Sequence, residues 1–171
     1  MTGMHPLVEE AMKKAAVAWL AVPGQTGPYP VWCLWLDGSL WLVSGPGEQP
    51  APGLADASAV NVSTRGDHGG RIVTWPARVG RPAPETEEWS AAATALAGKR
   101  LNAPASADQT VRRWAAECLV SRLTPDGDPI EAAPHLDDGS AAAPPRPSPA
   151  TTPTPNPFRL HRVRGAGPSR R

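Results

Sequence analysis

The sequence predicts a mainly β domain with flanking helices, built on six antiparallel strands that close into a small barrel, and three observations lead there. First, VWCLWLDGSLWL (31–42) reads as a hairpin about Asp37-Gly38, a pair that suits a type I′ turn because both central residues need positive φ. Second, the elements run helix, five strands with short links, two helices, one strand, and hairpin-sized links favour antiparallel pairing over βαβ crossovers. Third, composition breaks near residue 128: all seven Trp and the single Tyr precede it, whereas ten of the 22 Pro follow it. One folded domain over 1–128 and a disordered Pro/Ala/Thr-rich tail over 129–171 are therefore expected.

Pro6 opens the first helix, with Leu7, Val8, Ala11, Met12 and Ala15 at helical spacing and Lys13-Lys14 suiting its C-terminal dipole. Strands follow at 16–22, 30–36 and 39–44, then a Gly/Pro-rich loop at 45–53 and a short helical turn near 53–59. AVNVST (59–64) alternates like a strand. A Gly-rich turn, RGDHGG, joins it to RIVTWPARVGR (71–81), where Pro76 marks a bulge or an edge. Pro84 and the acidic run Glu85, Glu87, Glu88 start a helix that buries Trp89, Ala92, Ala93 and Leu96. Ser106-x-x-Gln109 is a capping box for a helix burying Val111, Trp114, Ala115 and Cys118, and LVSRL (119–123) is the last strand.

The hairpin is apolar on both faces. Reflection about its turn pairs Trp35 with Leu40, Cys33 with Leu42, Leu34 with Trp41 and Trp32 with Val43. A barrel interior accommodates one face, and a second copy of the chain in an isologous homodimer would cover the other.

Residues 1–128 carry 11 Lys/Arg and 13 Asp/Glu, and 129–171 carry 6 and 3, so the formal charge of +1 singles out neither a nucleic-acid nor a membrane partner. The Arg-rich end RLHRVRGAGPSRR lacks interleaved aromatics and supports only nonspecific anionic contact. AAVAWLAV is too short to cross a bilayer, and Cys33 and Cys118 read as buried free thiols, which together point to a cytoplasmic protein. P-loop, Rossmann, zincin and nucleophile-elbow motifs are missing. His5, His68, His135 and His161 have no zinc-ligand spacing with the cysteines, so no metal site is expected, and His68 reads as a polar turn residue.

Taken in order, HPLVEEAMKKA, PYPVWCLWLDGSLWLVSG, AVNVST, RIVTWPARV and EEWSAAATALAGKRL resemble the flavin-binding split-barrel family, the pyridoxamine 5'-phosphate oxidase-like proteins and their deazaflavin-using relatives, over residues 5–124. The resemblance implies a homodimer that holds FMN or a deazaflavin in the crevice between subunits and acts as an oxidoreductase on a small molecule. In that family the cofactor phosphate meets basic residues after the third strand and near the following helix.

This chain departs from the pattern at that loop, which reads Ser44-Gly45-Pro46-Gly47-Glu48-Gln49-Pro50 and places a carboxylate where a cation is common. Ser44, the amides of Gly45 and Gly47, and Gln49 are the candidates left there for an anion nest. Arg65 and Arg71 flank the Gly-rich turn as an alternative clamp, and Lys99-Arg100 form another basic cluster. Trp32, Trp35 and Trp75 are candidates for stacking on a flat ring. The alternative reading is a non-catalytic module that has lost the phosphate site and takes haem or another ligand.

Overall fold

The computed structural model describes residues 5–66, 70–103, 105–132 and 136. Helix α1 (Pro6–Lys14) leads into strands β1 (Val17–Ala21), β2 (Tyr29–Trp32), β3 (Leu34–Leu36), β4 (Ser39–Ser44), β5 (Ala59–Arg65) and β6 (Arg71–Gly80). Helices α2 (Glu87–Lys99) and α3 (Ala107–Glu117), strand β7 (Leu119–Pro125) and the two-residue β8 (Glu131–Ala132) complete it. His68 and the rest of 67–69, and the tail at 133–135 and 137–171, lie outside the described residues.

Every neighbouring pair is antiparallel, in the order β2-β1-β5-β6-β7-β4-β3, with β8 added to β6. Strands β2 and β3 stand at opposite ends of this order yet are joined through Cys33 alone. The sheet must therefore curl until its ends meet, and the result is a nearly closed barrel. The six expected strands are all present; the one expected at 30–36 is divided, its first half pairing with β1 and its second with β4.

The hairpin turn has φ of 48° at Asp37 and 71° at Gly38, the left-handed pair that type I′ requires. Leu34–Trp41 and Trp35–Leu40 pair as expected, but Cys33–Leu42 and Trp32–Val43 do not. At Cys33 the chain changes partner, and its N–H bonds the Ala16 carbonyl at 3.0 Å.

The two faces of the hairpin enter different cores. Cys33, Leu40 and Leu42 point into the barrel with Leu20, Val62, Val73, Trp75 and Leu123, and α1 lays Val8 and Met12 on the same cluster. Trp41 and Val43 face outward and are buried against Trp89, Ala92, Ala93 and Leu96 of α2 and Trp114 of α3. The expectation that a second copy covers this outer face is corrected: α2 and α3 of the same chain cover it. Their cover is stable because both helices are well started. Thr86 Oγ1 accepts from Trp89 N–H at 3.3 Å, and the Ser106–Gln109 capping box is fully formed. Each fully buried large side chain at this seam contributes about 1.5–3 kcal/mol.

Pro76 does not cause a bulge; the register shift falls between Thr64 and Arg65 on the facing strand. Its carbonyl accepts from Asp126 N–H at 2.9 Å, so its ring nitrogen faces the same edge, at the point where β6 passes from β8 to β7. Pairing with β8 continues past residue 128 to Ala132.

Candidate functional site

Where β2 breaks from β3, the barrel wall needs a substitute for the missing ladder, and the loop after β4 supplies it. The Gln49 side chain accepts from Trp32 N–H at 2.7 Å and donates to the carbonyls of Trp32 at 2.9 Å and Val43 at 3.1 Å. One amide thus stands in for the Trp32–Val43 pair and holds the split at a fixed width.

Beside it, Glu48 turns its side chain inward, where it is 1% exposed. Its Oε2 accepts from Arg100 Nε at 2.9 Å, and its Oε1 accepts from Trp114 Nε1 at 2.9 Å and from the Arg113 guanidinium. Burial pushes the Glu48 carboxyl up, but hydrogen bonds from Arg100, Trp114 and Arg113 outweigh it and hold the group below the usual glutamate value. The same arginines grip the loop backbone, Arg113 through the Pro46 carbonyl at 2.6 Å and Arg100 through that of Gly47 at 3.3 Å. Gly45 sits at φ 138°, a conformation strained for any side chain, and a Cβ there would press on Cys118 Cα at 3.1 Å.

These elements frame a crevice of about 660 Å³. Its apolar wall comes from the α1–β1 junction with Val17, from the split with Trp32, Cys33 and Leu34, and from Leu101 beyond α2. Its cations are Lys13, Lys14, Lys99 and Arg100, and Gly47, Glu48 and Gln49 form the loop side. Val17 and Leu101 are 48% and 86% exposed, so part of the apolar wall faces solvent. Burial pushes the Cys33 thiol up to about 12, which keeps it protonated and chemically quiet.

Of the sequence-predicted site residues, the crevice gathers Trp32, Gly47, Gln49, Lys99 and Arg100. Ser44 and Gly45 line an adjoining hollow of about 610 Å³ with Glu117 and Cys118, which shares Glu48 with the crevice. Trp35 and Trp75 are packed edge to face inside the barrel, with centroids 6.0 Å apart, and neither lines the crevice. Arg65 lies 4.6 Å over the Trp19 ring, and Arg71 is paired with Glu131 at 3.1 Å. Those two arginines lie outside the crevice lining.

Sequence reasoning missed Lys13, Lys14 and Val17, which looked like an ordinary helix end and strand start. It also missed the partners of Glu48, since residues 48, 100 and 113 carry no shared motif. Among the described residues, no group of three or more His, Cys, Asp or Glu side chains is placed to hold a metal ion, and no helix is long and apolar enough to cross a membrane.

No family model matches the sequence, and no curated protein matches it. Solved structures do. The haem storage protein HutZ of Vibrio cholerae is similar over 74% of this chain and 92% of that chain, with a TM-score of 0.53 at 16% identity. The FAD- and haem-binding protein of Mycobacterium smegmatis is similar over 92% of each chain, with a TM-score of 0.50 at 14% identity. The chain has the split-barrel fold. In this split barrel the crevice lies at the split itself, where Cys33 separates β2 from β3.

Proposed function

We propose that this split barrel binds a flavin, FMN or a deazaflavin, in the crevice at the split and serves as an oxidoreductase on a small molecule. The observation that carries the reading is the composition of the crevice: an apolar wall with an indole, Trp32, alongside lysines from the ends of two helices. That combination suits a flat ring joined to an anionic tail, and the volume lies within the range of about 300–1,000 Å³ typical of cofactor sites. Trp32, Val17 and Leu34 would hold the ring, and Lys13, Lys14 and Lys99 the anion. A bound flavin supplies hydride chemistry; this chain's residues bind it, orient it and keep water from its ring.

Haem is the weaker occupant. Among the described residues the crevice contains no histidine, and its one sulfur, Cys33, is held as a neutral thiol. The exposed apolar groups Val17 and Leu101 beside the crevice favour a homodimer in which a second copy closes it. Two free cysteines suit the reducing cytoplasm.

Titration of the purified protein with FMN, a deazaflavin and haem, followed by visible absorbance and tryptophan fluorescence, tests the reading. A saturable response to a flavin, weakened at least tenfold by Trp32→Ala, is expected; the main-chain bonds of residue 32 to Gln49 survive that change. A folded protein that binds neither flavin overturns the proposal, and saturable binding of haem alone reassigns the crevice.

A further inference from the structure

The groups around Glu48 form a binding site in their own right. Two guanidinium groups and an indole N–H, drawn from the end of α2 and the middle of α3, converge on one point. Planar forks of this kind are the donors that proteins use to hold carboxylates and phosphates. Arg100 and Arg113 are 16% and 28% exposed, so the site is largely withdrawn from water, and Glu48 and Arg100 both line the crevice. Within the seat itself one carboxylate faces two guanidinium groups, and Glu117 acts on Arg113 from outside it. The loop delivers that carboxylate on a tight turn, closed by Glu48 N–H on the Gly45 carbonyl at 3.0 Å and by Gly47 at φ 73°.

We infer that Glu48 is a specificity-determining residue: the chain fills an oxyanion seat, made by Arg100, Arg113 and Trp114 Nε1, with its own carboxylate. The crevice thereby refuses a ligand phosphate or carboxylate at this point. Lys99, together with Lys13 and Lys14 in exposed pairs with Glu9 and Glu10, remains to meet a ligand's anion, a clause that rests on the cofactor reading; the seat itself does not.

The test contains no flavin, so its failure leaves the cofactor reading standing, and the failure of that reading leaves the seat standing. Thermal unfolding of the wild type, Glu48→Ala and Glu48→Gln is followed in a phosphate-free buffer during titration with acetate, inorganic phosphate, or chloride at matched ionic strength. Glu48→Ala is expected to melt lower and to be restored saturably by acetate or phosphate but not by chloride, with an apparent affinity at least tenfold tighter than any wild-type response. Glu48→Gln, whose amide oxygen still accepts on one side of the seat and whose bulk occupies the rest, is expected to respond far less than Glu48→Ala. The inference is overturned if Glu48→Ala responds no more than the wild type, if chloride serves equally, if Glu48→Gln gains the same response, or if Glu48→Ala stays unfolded at every anion concentration.

Discussion

Glu48 shows how one side chain reverses the meaning of a loop. Read along the chain, an acidic residue after the strand at 39–44 argues against anion binding; in three dimensions it is neutralised by Arg100 and Arg113 and joins the loop to two helices. Its native carboxyl titrates below the usual glutamate value, so its stabilisation is complete above the unfolded-state value, near pH ~4.3, and is lost as pH falls from there through the lower native value. Replacement by glutamine keeps the shape and removes the charge. Glu48→Gln is expected to cost about 1.5–3 kcal/mol at pH 7, the scale of hydrogen bonds to charged groups. Urea denaturation from pH 7 to pH 3 checks this: the gap between wild type and variant should narrow below about pH 4, and a constant gap would contradict the ion-pair account.

At the scale of elements, the division of the strand into β2 and β3 matters most. A regular hairpin would have continued the ladder to Trp32–Val43; instead a glutamine amide spans the gap with three hydrogen bonds. Gln49→Ala leaves partly buried backbone groups of Trp32 and Val43 without those partners, and each such group costs about 1–3 kcal/mol. The expected result is a loss on the order of 2–4 kcal/mol in urea denaturation, with faster amide exchange at residue 32. The elements themselves were largely legible. Alternation marked β5, Asp37-Gly38 fixed the turn, and Ser106 with Gln109 marked the start of α3. The split was not, because the group that replaces the ladder is a side chain on a separate loop, and no periodicity carries that information. The cover of the outer hairpin face was misread for a related reason: α2 and α3 show their apolar stripes in sequence, but not which sheet face those stripes meet.

On the scale of the whole molecule, two cores share one barrel wall. The inner core is closed by α1 and the outer by α2 and α3, so the chain meets its main apolar requirement without a partner. A dimer would therefore be held by what remains outside, above all the Val17 and Leu101 surface beside the crevice. Sedimentation at micromolar concentration is expected to give a dimer, and Leu101→Asp with Val17→Asp to give a folded monomer whose flavin affinity falls. A wild-type monomer with full flavin affinity would show that one chain completes the site. The proposed cofactor class was suggested in the sequence only through resemblance, because an apolar wall and lysines at helix ends are common features until the fold brings them together.

The break at Cys33 also bears on motion. A ring whose two ends share a single strand has its clasp there, and in this protein the clasp is also a wall of the cavity. Loosening it would part neither β2 from β1 nor β3 from β4, since each half keeps its own ladder. Because the chain runs unbroken through Cys33, any widening of the crevice there falls on the three bonds of the Gln49 amide, so the hold on a ligand and the strength of the clasp would be linked.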